Sequence, residues 1–574
     1  MIIFPHSSHG SNLMDSNKKG TRTIVKKKVF FFMQISLLLS LMACVVFAAY
    51  PADGNTLTKV YVLIKKVILK SPLTGIPMKV KIVTCRSSSK KIYKTTYFTY
   101  GDFPLPLWTT VQYIPKNKPQ KLTSSNNWLM FNKFKTHNTV LNLKFPSVSW
   151  VYRQHDAISL RSKFPAADVL GKTRAAVMFT QFVGDAVGVS YANGIIYIPS
   201  NDNRVYAVNA KTGKLIWSAT TAGSVMSVPL VAKGVVYVTI GNAAFSGASG
   251  PFAVLTHNLK HIRRGDGYGG VYAFSAYTGE LLWVHFTAGE IMPTALYLNH
   301  KLIFANGSGH IYALNAKTGK TIWKKYAGVS AFDSMSSANY YNVSIHKIFN
   351  REKIGIIGFT FVKPPYGELI AFNIQNGKFV WKAVLPKQYK PFNTGMGDVS
   401  PAVDQKNNLV IQDTIVNYYP KTKKLNTAIV AVQAASGKIK WVDLLGEGYV
   451  PPAFKGGVPM IHHGIIYVGS PVTSKLYAIK ELNGKIIWSS KIPTVSVPPK
   501  SAGGGRGNPI IVGSKLILAA GAYLFTYNAE TGKLLKRYYV GGRFGLVNPV
   551  VVGKTLFVDN SYNDTFAVPL KKLL

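Results

Sequence analysis

The amino-acid sequence predicts an all-β fold: an eight-bladed β-propeller, its ring closed by a strand from the N-terminal side, with a further β-rich segment ahead of it. Three observations carry this. One unit recurs: VYAVNAKTGKLIW at 205–217, VYAFSAYTGELLW at 271–283, IYALNAKTGKTIW at 311–323, LIAFNIQNGKFVW at 369–381, IVAVQAASGKIKW at 429–441, LYAIKELNGKIIW at 476–488 and YLFTYNAETGKLL at 523–535. A second strand pair precedes the copies, as in VAKGVVYV at 231–238 and IVGSKLIL at 511–518. An eighth unit opens with PVVVGKTLFV at 549–558 and TFAV at 565–568. The chain then ends at Leu574 without a fourth strand, and SWVYR at 149–153 reads as the missing one.

Each element has a physical reason. The V-Y-A-apolar run is a short strand. Asn-Ala-Lys-Thr-Gly is a turn in which Gly supplies a positive φ. Lys-apolar-apolar-Trp is the returning strand, so each copy is a hairpin. Successive copies begin 66, 40, 58, 60, 47 and 47 residues apart, which is room for four strands, one propeller blade. Closure by 149–153 removes the open edge of the eighth blade. A Trp at fixed register points to packing between blades.

Ahead of the ring, residues 60–69 and 80–83 read as strands, and 103–108 and 115–119 as loops. Further upstream, Lys26-Lys27-Lys28 is followed by the uncharged run 29–49, and Val46-Phe47-Ala48 offers small residues at the two cleavage positions. This predicts a secretory signal cut before Ala49. An uncleaved stretch of about 20 residues would also span a bilayer, so a membrane anchor stays open. The expected division is 1–48 extension and signal, 49–148 β-rich segment or arm, and 149–574 propeller. The expected location is periplasmic or extracellular, with peripheral membrane association left open.

The chain carries 68 Lys+Arg against 22 Asp+Glu, a formal charge of +46. The basic residues are spread, and no segment interleaves them with aromatics in a recognition pattern, so no nucleic-acid partner is expected. Two readings fit better: a small anionic substrate, or an acidic medium in which ordinary carboxyl groups are protonated. Two cysteines exclude a disulfide framework, a multi-cysteine zinc site and a cysteine-ligated cluster. Signal cleavage would leave Cys85 alone. His257 and His261 lack an evident third ligand, and no metal site is expected. His462-His463 reads as a hairpin turn.

Propellers take small ligands at the axial mouth. Here the mouth is built from the segments between each repeat and the next blade. Asp185, Glu290, Asp333 and Asp398 fall on these segments, and Lys455, Arg506 and Arg543 fall on three consecutive ones, with Asn508 following Arg506 in a Gly-rich run. Such a mouth can hold an anion on one side and present a carboxyl on the other. The plainer reading makes the acids turn or cap residues. Met226, Met292, Met335, Met396 and Phe544 lie on the same segments, and packing is their simpler role. Asp398, next to the small Gly397, is the first candidate for an acid–base group and Asp333 the second.

The A-x-(D/N)-x-x-(T/N)-G-K-x-x-W repeat resembles the quinoprotein-type repeat over roughly residues 180–574. Quinoprotein alcohol dehydrogenases share it, but they use adjacent cysteines, a calcium and a catalytic Asp. This sequence has no adjacent cysteines and no readable calcium pair, so pyrroloquinoline quinone is disfavoured and no cofactor is expected. Outer-membrane assembly scaffolds share the repeat too and are shorter. The chain is similar in more features at once to the tetrathionate hydrolases of acidophilic sulfur oxidisers: an export segment, the repeat without the quinone-site cysteines, few carboxylates and a basic balance. That resemblance implies an acid-active hydrolase giving thiosulfate, sulfate and sulfur, working as a homodimer. It implies an Asp as acid–base residue, carried here to Asp398 with Asp333 as fallback. Lys455, Arg506 and Arg543 would then offset the dianion, with Asp185, Glu290 and Asn508 completing the mouth. A quinone-dependent dehydrogenase and a non-catalytic scaffold remain as alternatives.

Overall fold

A computed structural model describes residues 135–141, 143–154, 187–200, 204–221, 223–241, 268–328, 336–343, 353–361, 366–389, 396–397, 399–419, 421–422, 424–449, 456–493, 505–544, 547–560 and 563–574, and the backbone course of strands Val60–Lys70, Pro77–Ser87, Ile92–Tyr100 and Trp108–Tyr113. The described strands form eight sheets, one per blade. Blade 1 occupies residues 190–220, blade 2 224–288, blade 3 296–326, blade 4 339–384, blade 5 402–449, blade 6 460–491, blade 7 510–544 and blade 8 550–569. The expected eight-bladed ring is therefore present.

The repeat motif is a device for joining blades. Each Trp donates its indole N–H to the hairpin of the following blade: Trp217 to the Ala276 carbonyl, Trp283 to Ala316, Trp323 to Ile374, Trp381 to Ala434, Trp441 to Glu481 and Trp488 to Ala529. The ring itself lies on the motif glycine of that hairpin. A Cβ on Gly279 would fall 2.6 Å from Trp217, and Gly279 has φ +67°, so both space and backbone require glycine. The Asn of the motif closes the turn. The Asn209 side-chain oxygen accepts from the Lys211 and Thr212 amides at 3.0 and 3.1 Å, an Asx-turn that frees no backbone donor.

This rule explains closure and the one missing Trp. Strand Trp150–Arg153 pairs antiparallel with Asp564–Pro569 as the fourth strand of blade 8. Trp150 donates to the Ala210 carbonyl at 2.9 Å and lies on Gly213 of blade 1, so the last joint copies the other six. Because blade 8 takes its fourth strand from elsewhere in the chain, it has no third-to-fourth hairpin for blade 7 to dock on. Lys536 stands where the Trp would, and the terminal helical turn Leu570–Leu573 fills the place, with Thr526 Oγ1 donating to the Leu573 carbonyl at 2.9 Å. In blade 7 the second and third strands form one continuous element, Lys515–Asn528.

Two features go beyond the repeat. Residues 135–141 run across the innermost strands of successive blades. The Val403, Ile461 and Val551 amides donate to the carbonyls of Lys135, Thr136 and Thr139, and the Ile511 amide to Asn138 Oδ1. Each donor is the middle residue of a three-residue inner strand, a group the four-stranded blade alone leaves unpaired. Val140–Leu141 then pairs parallel with the inner strand of blade 8. The four upstream strands form an antiparallel sheet that continues blade 1 outward, with Gln112 opposite Trp217. The expected strands at 60–69 and 80–83 are thus found, lengthened. Trp108, read as the end of a loop, instead begins a strand that pairs at Trp108 with Tyr97 and, further along at Val111 and Gln112, with the outer edge of blade 1. His463 sits in the expected hairpin turn at φ +48°. The segment holding His257, His261, Arg263 and Arg264 lies outside the described residues.

Candidate active site at the propeller mouth

The strand registers place Pro199, Thr239, Ala305, Gly358, Asp413, Gly469, Ala519 and Asp559 at one equivalent position in the eight blades, two residues past the last pairing of the second strand with the innermost one. In five blades this position meets the mouth segment of the next blade. The Thr239 hydroxyl donates to the Pro293 carbonyl at 2.8 Å. Gly358 lies beneath the Met396 carbonyl and Gly469 beneath Gly505, each with no room for a Cβ. Asp413 Oδ2 accepts the Gly457 amide at 2.8 Å. The Asp559 carboxyl faces the Gly188 amide. Two blades therefore carry a buried carboxyl where the others carry small or uncharged residues.

The position one residue earlier is apolar and buried in seven blades: Ile198, Val238, Phe304, Ile357, Val468, Leu518 and Val558. In blade 5 it is Gln412, fully buried. Its amide nitrogen donates to the carbonyls of Asp413 at 2.9 Å, Val399 at 3.1 Å and, at longer range, Met396 at 3.4 Å. Three surrounding carbonyls fix which amide atom is the nitrogen.

Mouth segments are also stitched to one another. The Val228 amide donates to Thr294 Oγ1, the Thr294 amide to Ser337 Oγ and the Ser337 amide to Ser400 Oγ, a run through blades 2 to 5 at 2.8–2.9 Å. Backbone bonds continue it, Val458 to the Arg506 carbonyl and Asn508 to the Val547 carbonyl.

Of the residues expected at the mouth, Glu290, Arg506 and Asn508 are described, and all three are buried. Glu290 packs against Gly241 at the opening of blade 3. Arg506 stands at the opening of blade 7, across the ring from it. Asn508 donates its amide to the His137 carbonyl at 2.6 Å, so that amide holds the inner segment. His137 Nδ1 lies 2.8 Å from the Pro459 carbonyl, and burial pushes this imidazole down to about 4. The openings of blades 6 and 7 thereby meet residues 135–139, which the inner strand of blade 5 also holds through Val403. Arg543 lies within strand Leu534–Phe544 rather than in a loop. Asp185, Asp333, Asp398 and Lys455 lie outside the described residues. Met226, Met292, Met396 and Phe544 are buried, consistent with packing, and Met335 is outside the described set. Gln412 and Asp413 were not singled out from the sequence. Their signal was available: a polar Gln-Asp pair at two positions where the other copies read as apolar and mostly small or uncharged.

Comparison with known proteins assigns the chain. It is 37% identical to a tetrathionate hydrolase of Acidianus ambivalens over 83% of this chain and 90% of that protein. It is 38% identical to a tetrathionate hydrolase of Acidithiobacillus ferrooxidans over 74% of this chain and 81% of that protein. The chain belongs to the tetrathionate hydrolase family. Its repeats also match the family described as outer membrane protein assembly factor BamB, at residues 171–327, 245–490 and 357–572. The crystal structure of BamB from Moraxella catarrhalis is similar at 14% identity and a TM-score of 0.45, covering 66% of this chain and 95% of that one. For this member of the tetrathionate hydrolase family, the described mouth has a polar belt between blades, a buried Glu and Arg across the ring from each other, and a Gln-Asp pair in blade 5.

Proposed function

We propose that the protein is an exported, acid-active hydrolase that cleaves tetrathionate. The observation that carries the reading is the identity to two tetrathionate hydrolases along most of their length. One tetrathionate and one water give thiosulfate, sulfate, one sulfur atom and two protons. Water must lose protons as it attacks, and a departing sulfur fragment must gain one. An Asp of ordinary pKa is about half ionised near pH 4 and can do both. Asp398 is the first choice for that role and Asp333 the second. Lys455, Arg506 and Arg543 offset the dianion, Arg offering two parallel donors to a sulfonate end. Asp185 and Glu290 complete the mouth, and Asn508 keeps residues 135–139 beside Arg506. The enzyme works without quinone or metal, as a homodimer, in the periplasm or outside the cell, free or attached to a membrane surface.

The test is thiosulfate release from tetrathionate at about pH 3 by purified protein with no added cofactor, beside Asp398→Asn and Asp333→Asn. The expected result is turnover in the wild type and a loss of about 10²–10⁴-fold in Asp398→Asn. An equal loss confined to Asp333→Asn moves the role to that residue. Folded wild type with no turnover at any pH from about 2 to 7 refutes the hydrolase.

A further inference from the structure

Gln412 and Asp413 are adjacent in one strand, Leu409–Tyr419, and reach two different mouth segments. Gln412 donates to the carbonyls of Met396 and Val399, the described residues on either side of Gly397-Asp398 in blade 5's own opening. Asp413 accepts the amide of Gly457, two residues past Lys455, in the opening of blade 6. Gly456 lies so close to this carboxylate that a Cβ there would come 2.7 Å from Oδ1. The segment before Asp398 is pinned from the other side as well. The Gly397 amide donates to Thr360 Oγ1 at 3.1 Å, and the Ser336 amide donates to the Gly397 carbonyl at 3.0 Å.

Core packing does not explain the Gln. Seven blades fill the same place with an apolar side chain, and a buried amide is retained only where its bonds offset its desolvation. Among the described residues no donor reaches Gln412 Oε1, and the bonds of this side chain are made by its nitrogen. Other blades tie the opening to the second strand with a serine instead. Ser227 Oγ accepts the Thr239 amide in blade 2, and Ser336 Oγ accepts the Gly358 amide in blade 4. Blade 5 has Val399 at that register, and Gln412 makes the tie from the opposite direction.

We infer that the Gln412-Asp413 pair is a positioning element, fixing the described residues flanking position 398 relative to residues 456–457, which follow Lys455 in the chain. This rests on the hydrolase reading given above. Gln412 acts through its neighbours and touches no reacting atom.

The decisive variant is Gln412→Met, which keeps length and supplies the apolar character the other blades use. The expected result is a fold at least as heat-stable as wild type, KM within about 2-fold, and kcat lower by about 10- to 100-fold, the effect of a misplaced reacting group, with the pH–rate profile displaced. Amide hydrogen exchange over residues 396–403 gives a readout independent of substrate, and at least about 10-fold faster exchange there, with the other blades unchanged, is expected. Unchanged exchange overturns the positioning role whatever the protein's activity. A kcat within 2-fold of wild type overturns it too, as does a kcat loss that only follows a loss of thermal stability. If wild type turns nothing over while exchange at 396–403 still rises in Gln412→Met, the hydrolase reading fails and the structural tie stands without a catalytic role.

Discussion

Asp559 ties the stability of the fold to pH through its protonation. It is 1% exposed, holds in blade 8 the place that Asp413 holds in blade 5, and faces the Gly188 amide at the opening of blade 1. Burial pushes it from an ordinary 3.8 up to about 7, against the pull of the nearby amides. A carboxyl raised in the folded state contributes stability that is complete below its unfolded pKa and is lost as pH rises through its folded one. The window is therefore about pH 4 to 7, and a shift of about three units corresponds to about 4 kcal/mol. Asp559→Asn has the same shape and no charge. It should match wild type within about 1 kcal/mol at pH 3 and exceed it by up to about 4 kcal/mol at pH 8. With about 2 cal/mol/K of unfolding entropy per residue over the roughly 400 residues of the ring, that is about 5 °C in Tm. Calorimetric scans of both proteins at pH 3, 5 and 8 decide it. A variant whose Tm declines with pH as steeply as wild type refutes the reasoning, and so does one already several degrees below wild type at pH 3.

Two further outcomes follow from the joints between blades. Glu481 is buried in the hairpin of blade 6, where the other copies mostly have Ala, and Asn407 donates to both its carboxyl and that of Asp404 at 3.2 and 2.8 Å. Burial, then the neighbouring Asp404 charge, pushes Glu481 up to about 7, so Glu481→Gln should be more stabilising at pH 8 than at pH 4, by about 1–2 kcal/mol because the pair is partly solvated; equal stability changes at both pH values would count against the raised Glu481 carboxyl. Trp150→Ala removes the bond to Ala210 and the ring lying on Gly213 and should cost about 3–5 kcal/mol, with limited proteolysis cutting blade 8 first. Even cutting around the ring would mean closure is not carried at this joint.

The ring was legible because its joints are written in a fixed register. Trp, the hairpin Ala and the motif Gly recur together, since the Trp must lie on the Gly and donate to the Ala carbonyl. SWVYR could be recognised as the last strand by the same Trp. What stayed hidden were contacts between residues far apart in sequence. Residues 135–141 follow no repeat, and their role depends on inner-strand amides more than 260 residues away, such as Val403 and Ile461. Asn508 was readable as a polar group in a Gly-rich opening, but not as the partner of His137. Gln412 and Asp413 lie inside a strand rather than in the segments between repeats, so the repeat motif does not mark them. Comparing strand positions blade by blade, rather than motif by motif, exposes them.

The scarcity of carboxylates connects composition to the site. Asp and Glu are almost never fully buried in ordinary proteins, yet Glu290, Glu368, Asp413, Glu481, Asp559 and Asp564 are all buried here, while Glu280, Glu447 and Glu530 remain on the outside. A surface carboxyl that is protonated in its working medium gives neither charge nor solubility, so little is lost when it is replaced. A buried one is different. Protonated, it is cheap to bury, and in either form its oxygen can accept from an amide, the contact Asp413 makes with Gly457. Ionised, it is costly to bury, which is why Asp559 and Glu481 keep their protons up to about pH 7. Under the acid working conditions proposed above, the chain can shed carboxyls from its surface and keep those that join blades or line the mouth. On that logic the few that survive are the residues to mutate first.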